Sequence, residues 1–361
     1  MTINCLIFLA VGKLSAFELD KERFEEKKNA PAPWMQAQID KDFSPFSKVT
    51  QKDIKRTMRA VNAQPAGAGS NFVHYHIHSG LVTFETNLGR DDHRILSFID
   101  MIESTHHIVN WPDVDFLASV WDSYDAPHYL AATECPVFTM CKMKNNPYGI
   151  LIPEVSFQDH RDWAQREVER AVLDSPWEHK IDRALWRGNS TGSYWGKELW
   201  DTKGRARLIF LTKERPDLID AGLTGSYFMD KEVDRYLHQM EAFKDFIWPQ
   251  DQITHKYLLT LDGNTFASSF RWQLQSNCAI FKQESPYIEW YYGALRPYEH
   301  YIPIASDLSD LVEKLTWAKE NDEAARAIAE SGRAFYLNHL TREDIAVYIY
   351  LLLKTYLMLG E

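Results

Sequence analysis

The stretch from Lys256 to Pro303, KYLLTLDGNTFASSFRWQLQSNCAIFKQESPYIEWYYGALRPYEHYIP, reads as strand, tight loop, helix, strand and aromatic loop. Tyr257 to Leu261 is a short apolar run that suits a buried strand. Asp262-Gly263-Asn264 is turn chemistry. Thr265, Ser268 and Ser269 are residue types that cap a helix, and the helix is expected to continue through Arg271, Trp272 and Leu274. Cys278 to Phe281 reads as the following strand. A loop that feeds a helix N-terminus offers unpaired N–H groups and a positive dipole end to an anion. Arg271, about one turn in, adds a forked cationic donor. Together these groups suit a diphosphate, although many capped helices after strands bind nothing.

The alternation extends along the chain. Lys21 to Lys55 is charged and helix-prone, with Pro31, Pro33 and Pro45, and 62–70 reads as a loop. Phe72 to Ile77 and Leu81 to Glu85 alternate around Ser79-Gly80, which predicts a hairpin. Arg94 to Glu103 reads as helix and Val114 to Val120 as a buried strand ending at Trp121-Asp122. Val137-Phe138 and the run Ile150 to Val155 follow, then a helix over His160 to Leu173. Ala184 to Trp186 is a strand running into Arg187-Gly188-Asn189-Ser190-Thr191. Leu208 to Leu211 and the segment from Lys256 continue the alternation, and Leu308 to Ala318, Glu323 to Tyr336 and Thr341 to Leu359 read as helices. This pattern implies α/β layers with largely parallel sheets, which bind ligands beyond the C-terminal ends of their strands.

At about 100–200 residues per domain, a chain of 361 residues is expected to form two domains. The formal net charge of −11 argues against a protein built around nucleic-acid phosphates. Four cysteines, Cys5, Cys135, Cys141 and Cys278, do not make a disulfide framework, though Cys135 and Cys141 are close enough in sequence to pair. Ile3 to Val11 is apolar but too short to span a bilayer. Leu14-Ser15-Ala16 could end a signal peptide, but no Lys or Arg precedes the apolar run, and a first strand or frayed end is the alternative.

In the loop after Ala184 to Trp186, Arg187, Ser190 and Thr191 can bond phosphate oxygens, and Gly188 permits close backbone approach. A surface turn with an unpaired arginine is the competing reading.

KYLL-x-x-DG, FASSFR, EWYY, L-x-P-x-x-HYIP, SDLSDL and the helical W-A-x-x-ND-x-x-A-x-x-IA-x-x-G-x-x-F occur in one order from Lys256 to about Tyr348. In this the chain resembles the protein O-glucosyltransferase family, which includes Rumi-like, capsule-associated and lipopolysaccharide-modifying glycosyltransferases. The weaker resemblance reaches back to about Val73. It implies a GT-B-like α/β fold, two Rossmann-like domains facing a central cleft. Residues 1–160 would form the acceptor-side domain, with helix 337–361 packing back on it, and 161–336 the nucleotide-sugar domain. The crossover is expected near Phe157 to Trp163.

The resemblance further implies an inverting, metal-independent transfer of a sugar, most simply glucose, from a UDP-sugar to a hydroxyl. Donor contacts would come from Arg187, Ser190, Thr191, Phe266, Ala267, Ser268, Ser269, Phe270, Arg271 and Glu289. DVDFLASVWDSY resembles the family stretch whose aspartate is the base, which assigns that role to Asp122, with Asp125 as its nearby alternative. Lys142 resembles a family lysine near the cleft, and His300 and Tyr301 are candidates to line it, against ordinary solvated or loop-packing roles. A Gly- and Trp-rich acceptor loop is not evident between Pro153 and Arg166, so a glycan such as lipopolysaccharide is the expected acceptor and a protein serine the runner-up. Lumenal relatives are richer in cysteine, which favours a cytoplasmic protein, with peripheral membrane association compatible with a lipid-borne acceptor. A secretory lumen is the alternative if the N-terminal run is a signal.

Two metal readings compete. Asp113-Val114-Asp115 is a D-x-D pair of the kind that holds a hard cation and a diphosphate in another glycosyltransferase architecture. His74, His76 and His78 fall on one face of a strand, as a zinc site needs, but no acidic residue or cysteine nearby in sequence completes it, so a structural or solvent-facing role is expected. No metal cofactor is therefore expected. An inactive nucleotide-sugar or glycan-binding protein is the other alternative, against which stand Asp122, Arg187 and Arg271.

Overall fold

The computed structural model describes residues 17–63, 72–86, 92–122, 135–154 and 158–360. Cys5, the N-terminal apolar run and Asp125 lie outside them. Helices α1 (Lys21–Asn29), α2 (Pro33–Phe43) and α3 (Gln51–Asn62) precede strands β1 (Phe72–His78) and β2 (Leu81–Thr86). Helix α4 (His93–Thr105) leads to β3 (Val114–Ser119), β4 (Val137–Thr139), β5 (Lys142–Met143) and β6 (Gly149–Leu151). The first sheet has the order β2-β1-β3-β4-β6. It is mixed rather than largely parallel: β1 runs antiparallel to β2 and β3, while β3, β4 and β6 are parallel. The β1–β2 turn is the reason. Ser79 (φ 50°) and Gly80 (φ 77°) both adopt the left-handed conformation of a tight hairpin.

Helix α5 (Gln158–Asp174) connects to the second lobe. There β7 (Ile181–Asn189), α6 (Gly204–Glu214), β8 (Ile219–Gly225), α7 (Lys231–Gln239), the single turn α8 (Pro249–Gln252), β9 (His255–Thr260), α9 (Phe270–Gln275), β10 (Ala279–Gln283), β11 (Tyr287–Ile288) and β12 (Ile302–Ile304) follow in turn. The second sheet, β12-β10-β9-β7-β8, is parallel throughout. Leu208 to Leu211 lies inside α6. A short apolar run does not by itself separate strand from buried helix, and its flanks Arg205, Ala206, Arg207 and Lys213 favour helix.

Helices α10 (Leu311–Glu320), α11 (Asp322–His339) and α12 (Arg342–Met358) close the chain. A capping box between Thr341 and Asp344 starts α12, which returns to pack on α1 and α2. Trp34 of α2, Trp290 and Tyr348 of α12 form one buried aromatic cluster. β11 pairs with β5, so a two-stranded ribbon also joins the lobes. The result is two α/β lobes facing a cleft, a GT-B-like arrangement. Cys135, Cys141 and Cys278 are buried, and no disulfide joins Cys135 to Cys141. Among the described residues no helix is long and apolar enough to cross a membrane.

Candidate functional site between the lobes

Parallel strands leave their C-terminal ends free to feed loops, and the loops after β3, β7 and β9 meet at one cavity of about 340 Å³. The first lobe contributes Arg94, Asp122 and Glu154. The second contributes Trp186 to Asn189, Thr191, Arg205 and the segment Gly263 to Ser269.

Asp122 follows β3 and its carboxylate is partly exposed at the cavity. Arg94, one residue into α4, bonds both the Asp122 carboxylate and the Val120 carbonyl, fixing where that carboxylate sits. Across the cleft, the Thr265 hydroxyl donates to the Asp122 carbonyl at 3.1 Å. Thr265 therefore does not cap α9. Ser269 holds the N-cap position without a side-chain cap bond, and α9 is only six residues long. What this segment turns toward the cavity is its loop, Gly263 to Ser269, rather than a long dipolar helix. Phe266, Ala267 and Ser268 line the cavity with it, whereas Phe270 is fully buried against Tyr291, Tyr292 and Tyr301 and belongs to the core.

The arginines divide differently from the sequence expectation. Arg187 borders the cavity, but its guanidinium is buried against Asp220 of β8, at 3.0 Å from the carboxylate and 2.9 Å from the Asp220 carbonyl. The parallel register of β7 and β8 sets Asp220 opposite Leu185, within reach of Arg187, and Arg183 and Lys244 share the same carboxylate. Arg205 was not singled out in the sequence. Its guanidinium spends three N–H groups on the carbonyls of Asn189, Leu261 and Asp262, at 2.6, 3.3 and 2.9 Å, and makes no ion pair among the described residues. A guanidinium carries five donors, so these bonds do not exhaust it, and Arg205 lines the cavity. Burial pulls Arg205 down to about 10, so it stays cationic at neutral pH. It also lies over the Trp186 ring at 5.4 Å. The local signal for it is weak: one of two arginines, with Arg207, in KGRARL ahead of an apolar run.

Gly263 lies where these loops crowd together: a Cβ there would sit 3.0 Å from both Arg205 Nη2 and Thr191 Oγ1, so those side chains would have to shift by a few tenths of an ångström. Thr191 lines the cavity, but Ser190 is fully buried and exchanges hydrogen bonds with the Tyr227 main chain, so it holds the loop rather than the ligand.

Other expected site residues lie apart. Lys142 is buried and bonded to Asp42 at 2.7 Å and to the Gly149 carbonyl at 2.6 Å, which makes it a structural ion pair tying α2 to the first sheet. His300 packs on Phe335 and accepts from the Arg296 amide, under the loop before β12. Glu289 is buried and does not line the cavity; burial first and then Glu154 push its carboxyl up to about 8, against the opposing influence of Tyr292, Arg271 and Tyr291. Arg271 is half-buried near Glu289 rather than at the cavity wall. Asp113 and Asp115 stand at the other end of β3 from Asp122, so the D-x-D pair is not beside this cavity.

The profile of glycosyl transferase family 90 matches residues 27–360. Human protein O-glucosyltransferase 3 is 28% identical over 91% of this chain and 63% of its own length. Zebrafish (Danio rerio) protein O-glucosyltransferase 2 is 29% identical over 94% of this chain and 65% of its own. The chain thus spans somewhat less than two thirds of these relatives' length. Among solved structures, Anabaena Alr3699/HepE in complex with UDP-glucose aligns with a TM-score of 0.37 and 12% identity, over 54% of this chain and 53% of that one.

Proposed function

This chain belongs to glycosyl transferase family 90, and from that premise we propose that it transfers glucose from UDP-glucose to an acceptor hydroxyl with inversion, without a metal at the reacting centre. The observation that carries this reading is the placement of one partly exposed carboxylate, Asp122, across a cavity from Arg205, an arginine that makes no ion pair among the described residues. An acceptor hydroxyl must lose its proton as it attacks, and Asp122 is placed to take it. The acceptor oxygen forms its bond to the anomeric carbon as the bond to the UDP oxygen breaks. The departing diphosphate carries the electron pair, and its charge develops beside Arg205 and the amide-rich loop Gly263 to Ser269. Arg94 holds the carboxylate and does not itself meet the reacting atoms in this scheme.

For the acceptor, the names of the relatives support a protein hydroxyl. A glycan is the second reading. It is favoured by Trp121, next to Asp122 in the chain, which is 46% exposed and offers an indole face to a sugar ring. Access to a lipid-borne glycan from the cytoplasmic side of a membrane belongs to that second reading.

The test is release of UDP from UDP-glucose with a panel of folded protein domains and of lipopolysaccharide-type glycans. Acceptor-dependent release that is insensitive to excess chelator supports the reading, and the acceptor that drives it decides between the two classes. Binding of UDP-glucose with no transfer to any member of the panel would favour a non-catalytic binder.

A further inference from the structure

We propose a second, independent site: a transition-metal site of the zinc type formed by His74 and His76 of β1 with Asp115 of β3. Alternate residues of β1 present both imidazoles on one face, and the antiparallel register sets Asp115 directly opposite His76. The acidic partner that seemed missing near the histidines in sequence is supplied by the neighbouring strand, 39 residues on. One ligand atom from each of the three lies within 4.8 Å of the others. A tetrahedral ion with bonds of about 2.0–2.2 Å needs donors roughly 3.3–3.5 Å apart, so the 2.6 Å hydrogen bond between His76 Nδ1 and Asp115 Oδ1 would open as the ion enters.

His74 points to a ligand independently of this spacing. It is only 6% exposed, and its Nε2 is buried with no hydrogen-bond partner among the described residues. An orphaned buried nitrogen is costly, and a bound cation would satisfy it. The two ring centroids stand 4.0 Å apart, and a tetrahedral ion would spread them.

Asp115 supplies the negative charge, and Gln51 of α3 donates to its Oδ2 at 2.8 Å, orienting the carboxylate with Oδ1 toward His76. Among surrounding charges, Glu85 favours a cation here and Lys55 opposes it. Two imidazoles with one carboxylate select zinc-type ions over calcium or magnesium. His76 and Asp115 also line a cavity of about 590 Å³ bounded by Gln51, Ile54, Tyr356 and Gly360, which leaves a coordination position open to water or a small ligand. Asp115 is four residues from Ser119 at the cleft end of β3, about 13 Å of strand, so this ion would not touch the reacting sugar.

The full chain, stripped with chelator and dialysed, should bind one equivalent of Zn²⁺ by calorimetry and give the visible absorption of tetrahedral cobalt with Co²⁺. His76→Gln and Asp115→Asn should each weaken binding at least ~10-fold with an unchanged circular dichroism spectrum. His78→Gln, on an exposed histidine paired with Asp113, should leave it unchanged. His74 is buried, so its replacement can unfold the strand, and the half-exposed Asp115 carries the test instead. Failure of the wild-type chain to bind stoichiometrically, or undiminished binding in both His76→Gln and Asp115→Asn, would overturn the site. Neither result bears on sugar transfer, which is read from UDP release.

Discussion

The Thr265 hydroxyl donates a 3.1 Å hydrogen bond to the main-chain carbonyl of Asp122, residues 143 apart in the chain. The loop that walls the donor side of the cavity is thereby tied directly to the residue assigned as base. A neutral hydrogen bond contributes on the order of 1 kcal/mol, which corresponds to about 5-fold in rate if it is held through the transition state. Thr265→Val, which keeps the shape and removes the donor, should lower kcat by about that factor, and Thr265→Ser should restore it. Equal rates for the valine and serine variants would mean that the bond does not position Asp122.

Removing the base should separate chemistry from binding. Asp122→Asn is expected to lower kcat by ~10²–10⁴-fold while the calorimetric affinity for UDP stays within about 2-fold of wild type. Turnover close to wild type in Asp122→Asn would dismiss it as the base.

Arg205 should govern donor affinity in a way that lysine does not repair. Its fork already spans the carbonyls of Asn189, Leu261 and Asp262, a geometry that a single ammonium cannot reproduce. Both Arg205→Lys and Arg205→Met should weaken UDP binding by ~10-fold or more and lower the melting temperature, because the buried carbonyls lose their donor. Arg187→Met, by contrast, should act on stability through the carboxylate it strands, Asp220. UDP titrations and thermal melts of the two methionine variants distinguish these outcomes.

Stability should depend on pH through Glu289. Its carboxyl is raised in the folded state to about 8, chiefly by burial, while an unfolded glutamate titrates near ~4.3. The folded state therefore holds the extra proton, and the stability it contributes is complete below the unfolded value and is lost as pH rises through the folded one. Urea unfolding midpoints of the wild type should fall between about pH 4 and 8 relative to those of Glu289→Gln. Parallel profiles would show that Glu289 is not protonated in the fold.

The Lys142–Asp42 pair predicts a defect of folding rather than of substrate binding. Lys142→Met strands a carboxylate that also accepts from Gln38 and the Leu151 amide, and should cost roughly 3–5 kcal/mol in chemical denaturation. The double change Lys142→Met with Asp42→Leu should recover much of that loss. A single variant as stable as wild type, but with a raised KM for acceptor, would return Lys142 to the cleft.

Local chemistry carried a good part of this protein. Tyr257 to Leu261 followed by Asp-Gly-Asn specifies a buried strand ending in a tight loop, and that loop lines the cavity. Ser79-Gly80 between two alternating runs specifies a hairpin, and a strand running into Trp121-Asp122 is enough to put a carboxylate at a sheet's C-terminal edge. These features depend on neighbours a few residues apart, so they are written in short windows. The assignment of charges to partners is not. Arg187 and Arg205 look alike in sequence, and only the β7–β8 register, which brings Asp220 from 33 residues away, commits the first to an ion pair, while the second makes none among the described residues. In the same way β3 delivers Asp115 to His76, Asp42 captures Lys142 from 100 residues away, and Thr265 turns from helix cap to Asp122. A charge or hydroxyl bonds whatever the packed sheets bring within about 3 Å of it, and that proximity exists only once the chain has folded.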